Sequence, residues 1–323
     1  MKKYKFYTRL VTLQFLMLAL AACSDASKNP LTLGTNVWIG YEPLYLAREL
    51  GYVDPKKIKL VEYVSATQVM RGLIDGSVNA GALTLDEAIL LQQQGVDIQI
   101  VLVMDYSSGA DAILARPGIR DLRGLKGKKI GAETSALGAY MLYRALEKAG
   151  LSVSDVNVIP LELSQHEQAY TKKKIDAVVT FDPVRSRLLS KGAVSLIDSS
   201  QLPGEIVDVL VVRKKVVNDQ KRNIKELIKV WFKTLKYIQQ QPAESAVKMR
   251  TRIKLSKPEV LASLAAVKFP DYRENQNLII GEPSHIEKQS IKLYEVMLKN
   301  KLLLDTVEIK GMFHSELIQE LYP

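Results

Sequence analysis

The sequence predicts an α/β protein of two similar lobes with parallel-rich sheets. Two observations carry this. Strand-like and helix-like segments alternate through most of the first two thirds of the chain, the pattern of parallel strands covered by helices. One strand-to-helix corner also occurs twice. Val78-Asn79-Ala80-Gly81-Ala82 runs into Thr84-Leu85-Asp86, and Ile175-Asp176-Ala177-Val178-Val179 runs into Thr180-Phe181-Asp182. The surroundings repeat in the same order. Gly34 corresponds to Gly131, Gly51 to Gly150, Glu62 to Glu162 and Asp86 to Asp182, at offsets between 96 and 100 residues. A repeat of that period is most simply two lobes.

The elements follow in order. Residues 31–37 alternate as a strand. Glu42 and Pro43 open a helix that stops at Gly51, with Pro43 suited to its first turn. A strand spans 58–64, Ser65 caps a helix to Gly76, a strand spans 78–83, and a helix covers 86–94. In the second unit a strand spans 129–132, and Thr134 and Ser135 cap a helix ending at Gly150. A strand spans 156–161, Ser164 caps a helix to about residue 171, a strand spans 175–180, and Asp182 opens a helix to Gly192. Two further runs match, 111–116 and 208–213. Both are apolar, begin with aspartate and end with arginine. They read as paired crossings between lobes. The expected division is 31–115 plus 209–323 for one lobe and 116–208 for the other, joined by a two-strand hinge. The remaining C-terminal part is expected to be helical. Its clearest helix, 223–241, carries Ile224, Leu227, Ile228, Trp231, Leu235 and Ile238 on one face, which makes Trp231 a core residue.

The N-terminus reads as a processing signal. Lys2, Lys3, Lys5 and Arg9 precede a short apolar run over 10–20, too brief to span a membrane comfortably. Leu20-Ala21-Ala22-Cys23 resembles a bacterial lipobox. Residues 1–22 are therefore expected to be a signal peptide, Cys23 a lipidated residue, and 23–30 a polar tether to a membrane. Cys23 is the sole cysteine, so no disulfide forms within the chain. The formal net charge is +10. Four of these charges lie in the signal, and the others are spread over solvated faces without Arg-rich or basic-aromatic motifs. Nucleic acid is not an expected partner.

"GYEPLYLARELGY" at 40–52 and "DLRGLKGKKIGAETSALGAYMLYRALEKAGL" at 121–151, followed by "IDAVV" at 175–179, resemble the nitrate/sulfonate/taurine and thiamine-precursor group of periplasmic solute-binding proteins. The resemblance covers about residues 31–320. It implies a type II periplasmic-binding-protein fold of two Rossmann-like lobes that close on a small solute. It further implies a monomer in the periplasm or cell envelope that delivers the solute to an ABC permease, with no cofactor and no catalysis.

Ligands bind beyond the carboxyl ends of strands in such sheets. The ligand-binding candidates are accordingly Asn36, Trp38, Tyr41, Glu42, Thr84, Asp86 and Asp105 from one lobe. The other lobe offers Glu133, Thr134, Ser135, Thr180 and Asp182, and Glu205 and Asp208 lie near the return crossing. Trp38 can stack on a planar or cationic ligand. Asp86, Asp182 and Glu42 have a plain alternative as helix-start acids. Thr134 and Ser135 can cap their helix and leave backbone N–H groups for an anion. Acids dominate these lips and basic residues are few, which points to an amino-bearing or zwitterionic solute.

Two other readings compete. A ligand-loaded sensor docking on a membrane signalling receptor would need no change in the site. An enzyme related to thiamine-precursor synthases would need chemistry that the residues do not announce. His166, His285 and His314 have no metal-ligand spacing, and neither a Gly-x-Ser-x-Gly elbow nor a P-loop occurs. Neither a metal site nor a catalytic residue is expected.

Overall fold

The structure is a computed structural model that describes residues 29–134 and 137–321. The expected signal peptide, Cys23, most of the tether and Ser135 lie outside the described residues. The chain first runs β1 (Leu31–Thr35), α1 (Glu42–Glu49), β2 (Ile58–Glu62), α2 (Ala66–Asp75), β3 (Ala80–Thr84), α3 (Leu85–Gln93) and β4 (Ile98–Ser107). It continues through β5 (Asp111–Ala115), β6 (Lys129–Ala132), α4 (Leu137–Ala149), β7 (Asn157–Pro160), α5 (Leu163–Thr171), β8 (Ala177–Phe181), α6 (Val184–Leu189) and β9 (Val194–Asp198). Then come β10 (Val207–Arg213), α7 (Val217–Gln240), α8 (Pro242–Ile253), α9 (Lys257–Ala265), β11 (Val267–Lys268), α10 (Tyr272–Ile279), α11 (His285–Lys299) and α12 (Glu316–Gln319).

These strands form two sheets, ordered β11-β4-β10-β3-β1-β2 and β7-β6-β8-β5-β9. In each sheet the βαβαβ part is parallel: β1 with β2 and β3, and β6 with β7 and β8. Each is completed by antiparallel strands, β10 and β4 in the first sheet and β5 and β9 in the second. The fold is thus mixed α/β in two lobes.

The two matched runs are interior strands, and their positions correct the expected crossings. Asp111–Ala115 lies between β8 and β9 in the second sheet, and Val207–Arg213 lies between β3 and β4 in the first. Both are covered on both faces, which is why both read as unbroken apolar runs. The chain changes sheet at 108–110 and again at 199–206. Those two passages are tied together: Ser199 Oγ accepts from Gly109 N at 2.6 Å and meets Ser107 Oγ at 2.7 Å.

The capping chemistry explains the corners. Ser65 Oγ accepts from Gln68 N, and Gly76 ends α2 in the left-handed region with φ 85°. Thr84 opens α3, and Glu87 Oε2 accepts from Thr84 N at 2.9 Å, the half of a capping box made by the third helical residue. Glu162 and Gln165 form the box at α5, so that helix starts before Ser164, which sequence reading took as its cap. Helix α6 starts at Val184 rather than at Asp182. The C-terminal helix α7 begins at Val217, six residues ahead of the expected start, and buries Ile224, Leu227, Ile228 and Trp231. Leu235 and Ile238 of that face are partly buried against the same core. Among the described residues no helix is long and apolar enough to cross a membrane.

Candidate functional site

The first sheet sets three polar side chains side by side at its edge facing the second lobe. In register, Thr84 of β3 lies opposite Asp208 of β10, and Asp208 lies opposite Asp105 of β4. The loop after β1 closes over this row. Tyr41 donates its hydroxyl to Asp208, and Trp38 Nε1 donates to Asp105 Oδ2 at 3.4 Å. Gly40 is what lets the loop lie so close. A Cβ there would sit 2.1 Å from Asp105 Oδ2 and 2.2 Å from Trp38 Nε1.

The second lobe faces the row with Asp111, Thr180, Phe181, His166 and Glu133. Asp111 pairs in register with Phe181, whose ring meets Trp38 edge to face at 5.5 Å across the lobes. His166 Nδ1 lies 3.2 Å from Thr180 Oγ1, and burial pulls the imidazole down to about 4, so it is neutral at physiological pH. From lobe to lobe, Glu133 Oε1 accepts from Thr67 N at 3.2 Å and Thr67 Oγ1 at 2.9 Å. Gln68 Nε2 donates to Glu162 Oε2 at 3.4 Å.

The charges divide into two groups. Glu42, Asp182 and Glu205 have cations. Glu42 bonds Arg252, which also bonds Glu62 and stacks 3.4 Å over the Tyr45 ring. Asp182 accepts from Ser186 N at 2.9 Å and Ser186 Oγ at 2.7 Å, with Arg185 at 3.6 Å. Glu205 takes two bonds from Arg144, at 2.7 and 2.9 Å, and one from Tyr140. Asp86, Glu87, Asp105, Asp111 and Asp208 are at most 5% exposed and form no ion pair with a described lysine or arginine. Burial pushes Asp86 up to about 6, and Asp105 and Asp111 up to about 7. Burial, reinforced by neighbouring carboxylates, holds Glu87 and Asp208 well above the usual range. Oxygens of Asp86, Asp105 and Asp111 and the Thr84 hydroxyl have no hydrogen-bond partner. Taking several acids out of water without a positive partner is costly, so this cluster needs a reason other than stability. Among the described residues no group of three or more His, Cys, Asp or Glu is arranged to hold a metal ion.

Two small chambers of about 20 Å³ each lie between the lobes. They share Glu87, Asp111, Leu137 and Phe181, and one adds Asn36, Trp38, Tyr41, Thr84 and Asp208 while the other adds Glu133, His166 and Thr180. Each holds about one water, so a solute reaches them only when the lobes part. A larger groove of about 860 Å³ runs between α4, the return passage and helices α10 and α11. Two of its cations, Arg144 and Lys268, are already paired with Glu205 and Glu274. Lys288 and Lys292 on the same wall form no ion pair with a described acid, so the groove carries positive charge, whereas the buried acids that lack a cation lie at the small chambers.

Of the candidates, the structure brings Asn36, Trp38, Tyr41, Thr84, Glu133, Thr180 and Asp208 to the chambers. Asp86 and Asp105 are buried beside them without lining them. Glu42 and Asp182 sit apart in the pairs just described, and Thr134 is exposed. Sequence reading did not select Glu87, Asp111 or Phe181. Asp111 had a signal, since it begins the run that matches the one begun by Asp208. Glu87 had one too, but it was the signal of a capping box.

The NMT1-like family model matches residues 24–251. A protein of Escherichia coli K12 named for binding aliphatic sulfonates is 29% identical over 143 residues, covering 44% of this chain and 45% of that relative. The chain therefore spans less than half the length of that relative. A protein of the same naming from Bacillus subtilis 168 is 26% identical over 73% of this chain and 76% of its own. A taurine-binding periplasmic protein of E. coli K12 is 25% identical over 52% and 53%. Among solved structures, the alkanesulfonate-binding protein SsuA of Xanthomonas axonopodis pv. citri bound to MOPS superposes with a TM-score of 0.77 at 20% identity. That superposition covers 88% of this chain and 99% of the other. The periplasmic nitrate-binding protein NrtA of Synechocystis PCC 6803 gives 0.75 at 10% identity over 91% and 88%. At such identities these two structures establish the fold, that of the type II binding proteins.

Proposed function

The chain belongs to the NMT1-like family, and we propose that within it this protein captures an amine-bearing or zwitterionic small solute between its lobes and presents it to an ABC importer. On this reading the protein works outside the cytoplasm, held to a membrane through a lipidated Cys23, and releases its solute unchanged. The reading is carried by five buried carboxylates, Asp86, Glu87, Asp105, Asp111 and Asp208, that no described cation balances. An ammonium offers three donors and one positive charge. The free oxygen of Asp111 and the Thr84 hydroxyl are acceptors for it, and the Trp38, Tyr41 and Phe181 rings give it an aromatic wall.

The relatives' names are compatible with an acid on the solute as well. Taurine carries an ammonium and a sulfonate, so a chain that reads the ammonium end remains within the chemistry of the group. A simple anion such as nitrate would instead meet like charge in these chambers.

A thermal-shift screen against matched cationic, zwitterionic, neutral and anionic small solutes tests the reading. A solute at a hundred times its Kd adds about 2.7 kcal/mol of stability. Shifts with amines or amino acids of small size are expected. Shifts confined to sulfonates without an amine, or to nitrate, would overturn it.

A further inference from the structure

We propose that Glu133 is a specificity-determining residue that fills the cleft's anion seat from within the chain. It thereby bars solutes that present an acid to the start of α2. This rests on the solute reading above and assigns one side chain the task of setting the sign of charge that the site accepts.

Helix α2 is ten residues long and begins at the cleft. The first N–H groups of a helix lack partners within it, and with the helix dipole they favour a negative group. In most settings such a seat is open to a ligand's acid. Here Glu133 Oε1, from the opposite lobe, takes both the Thr67 N–H and the Thr67 hydroxyl, at 3.2 and 2.9 Å. Ser65 Oγ takes the Gln68 N–H in the next position. Glu133 is 9% exposed and forms no ion pair with a described cation; burial raises its pKa, and the two Thr67 bonds are the contacts that oppose this.

The placement is fixed from behind. Gly138, in the first turn of α4, packs so tightly on the Glu133 backbone that a Cβ would lie 2.2 Å from Glu133 O. A second observation points to what the seat is filled for. The Asp111 carboxylate is 2% exposed, its Oδ2 has no partner, and it lines both chambers, one with Glu133 and the other with Ala66 of α2. An incoming sulfonate or carboxylate would have to break the two Thr67 bonds and then sit beside Asp111. An incoming ammonium would meet Asp111 with the seat left intact.

The test uses ethanesulfonate and propylamine as probes on the purified protein, with calorimetry and thermal shift. Wild type is expected to ignore ethanesulfonate. Glu133→Ala withdraws the carboxylate from the start of α2 and should gain about ten-fold or more in ethanesulfonate affinity. Glu133→Gln keeps an oxygen on Thr67 and should gain little. Glu133→Ser likewise withdraws the carboxylate from Thr67 and should show the same gain even if Glu133→Ala fails to fold. If neither folded variant gains ethanesulfonate binding, or if wild type binds it as well as they do, the seat assignment is overturned. Propylamine separates the two ideas. Amine binding without a gain of anion binding sinks the seat alone. A gain of anion binding in a protein that never binds amines keeps the seat and sinks the solute reading.

Discussion

Asp111→Asn tests the idea of an unbalanced charge most directly, because it removes a charge and almost no volume. Asp111 is buried, one of its oxygens has no partner, and burial lifts it from the usual 3.8 to about 7 against the Ser107 hydrogen bond. Between about pH 4 and about pH 7 the folded protein therefore keeps a proton that the unfolded chain has released. Stability falls as pH rises through that window and levels off above it. By pH 8 the loss from this one group reaches roughly 4 kcal/mol. The amide of asparagine avoids that loss but must find partners of its own, so the net gain should be about 1–3 kcal/mol near pH 8 and close to nothing near pH 4. Urea unfolding at the two pH values, with thermal scans expected to move by about 2–4 °C per kcal/mol, reads the difference. Amine affinity should fall in the same variant by about ten-fold or more. An asparagine variant less stable than wild type near pH 8, or favoured equally at both pH values, would refute the reasoning. Asp111 would then have a favourable partner.

Arg252→Ala leaves Glu42 buried at 1% exposure and unstacks Tyr45, and should cost about 3 kcal/mol in urea unfolding. Arg252→Lys should recover only part of this, since a point charge cannot bridge Glu42 and Glu62 as a guanidinium does. Gly40→Ala pushes a methyl into the Trp38–Asp105 contact. It should cost about 1–3 kcal/mol, change tryptophan fluorescence and weaken amine binding. Asp182→Ala removes the acceptor for Ser186 N and Oγ and should lower the melting temperature by an amount equivalent to about 1 kcal/mol.

The fold was legible because its signals are local. Ser65 and Gly76 bracket α2, Pro43 sits in the first turn of α1, and the Trp231 face has helical spacing. The corner residues were legible for the same reason. What sequence could not give was partnership. Glu42, Asp182 and Glu205 look like Asp86 and Asp105 in the sequence, acids near strand ends or crossings. They differ because Arg252, Arg185 and Arg144 reach the first three and no described cation reaches the others. Arg252 lies 210 residues beyond Glu42, and no spacing rule joins them. The misplaced crossings have a related cause. A strand between two neighbours and a strand passing between lobes are equally apolar, and only pairing tells them apart.

The helix starts raise the last question, how this fold would take a cation at all. Strand-to-helix corners present backbone N–H groups and the positive ends of helix dipoles, which favour anions by default. A cation site has to overcome that field first. This chain sets its own carboxylates against it. Asp86 and Glu87 stand in the first turn of α3, where Glu87 caps Thr84, and Glu133 crosses the cleft to the first turn of α2. With those two helix starts occupied, Asp105, Asp111 and Asp208 remain beside the aromatic wall as buried acids without a cation, their charged forms disfavoured by burial. Ionising them costs stability as pH rises toward neutrality, and on the proposed reading a bound ammonium would offset that cost. On the amine reading proposed above, the same residues would make the closed cleft less stable toward neutral pH and favour amines over the same range, so both trends should appear together in one pH series.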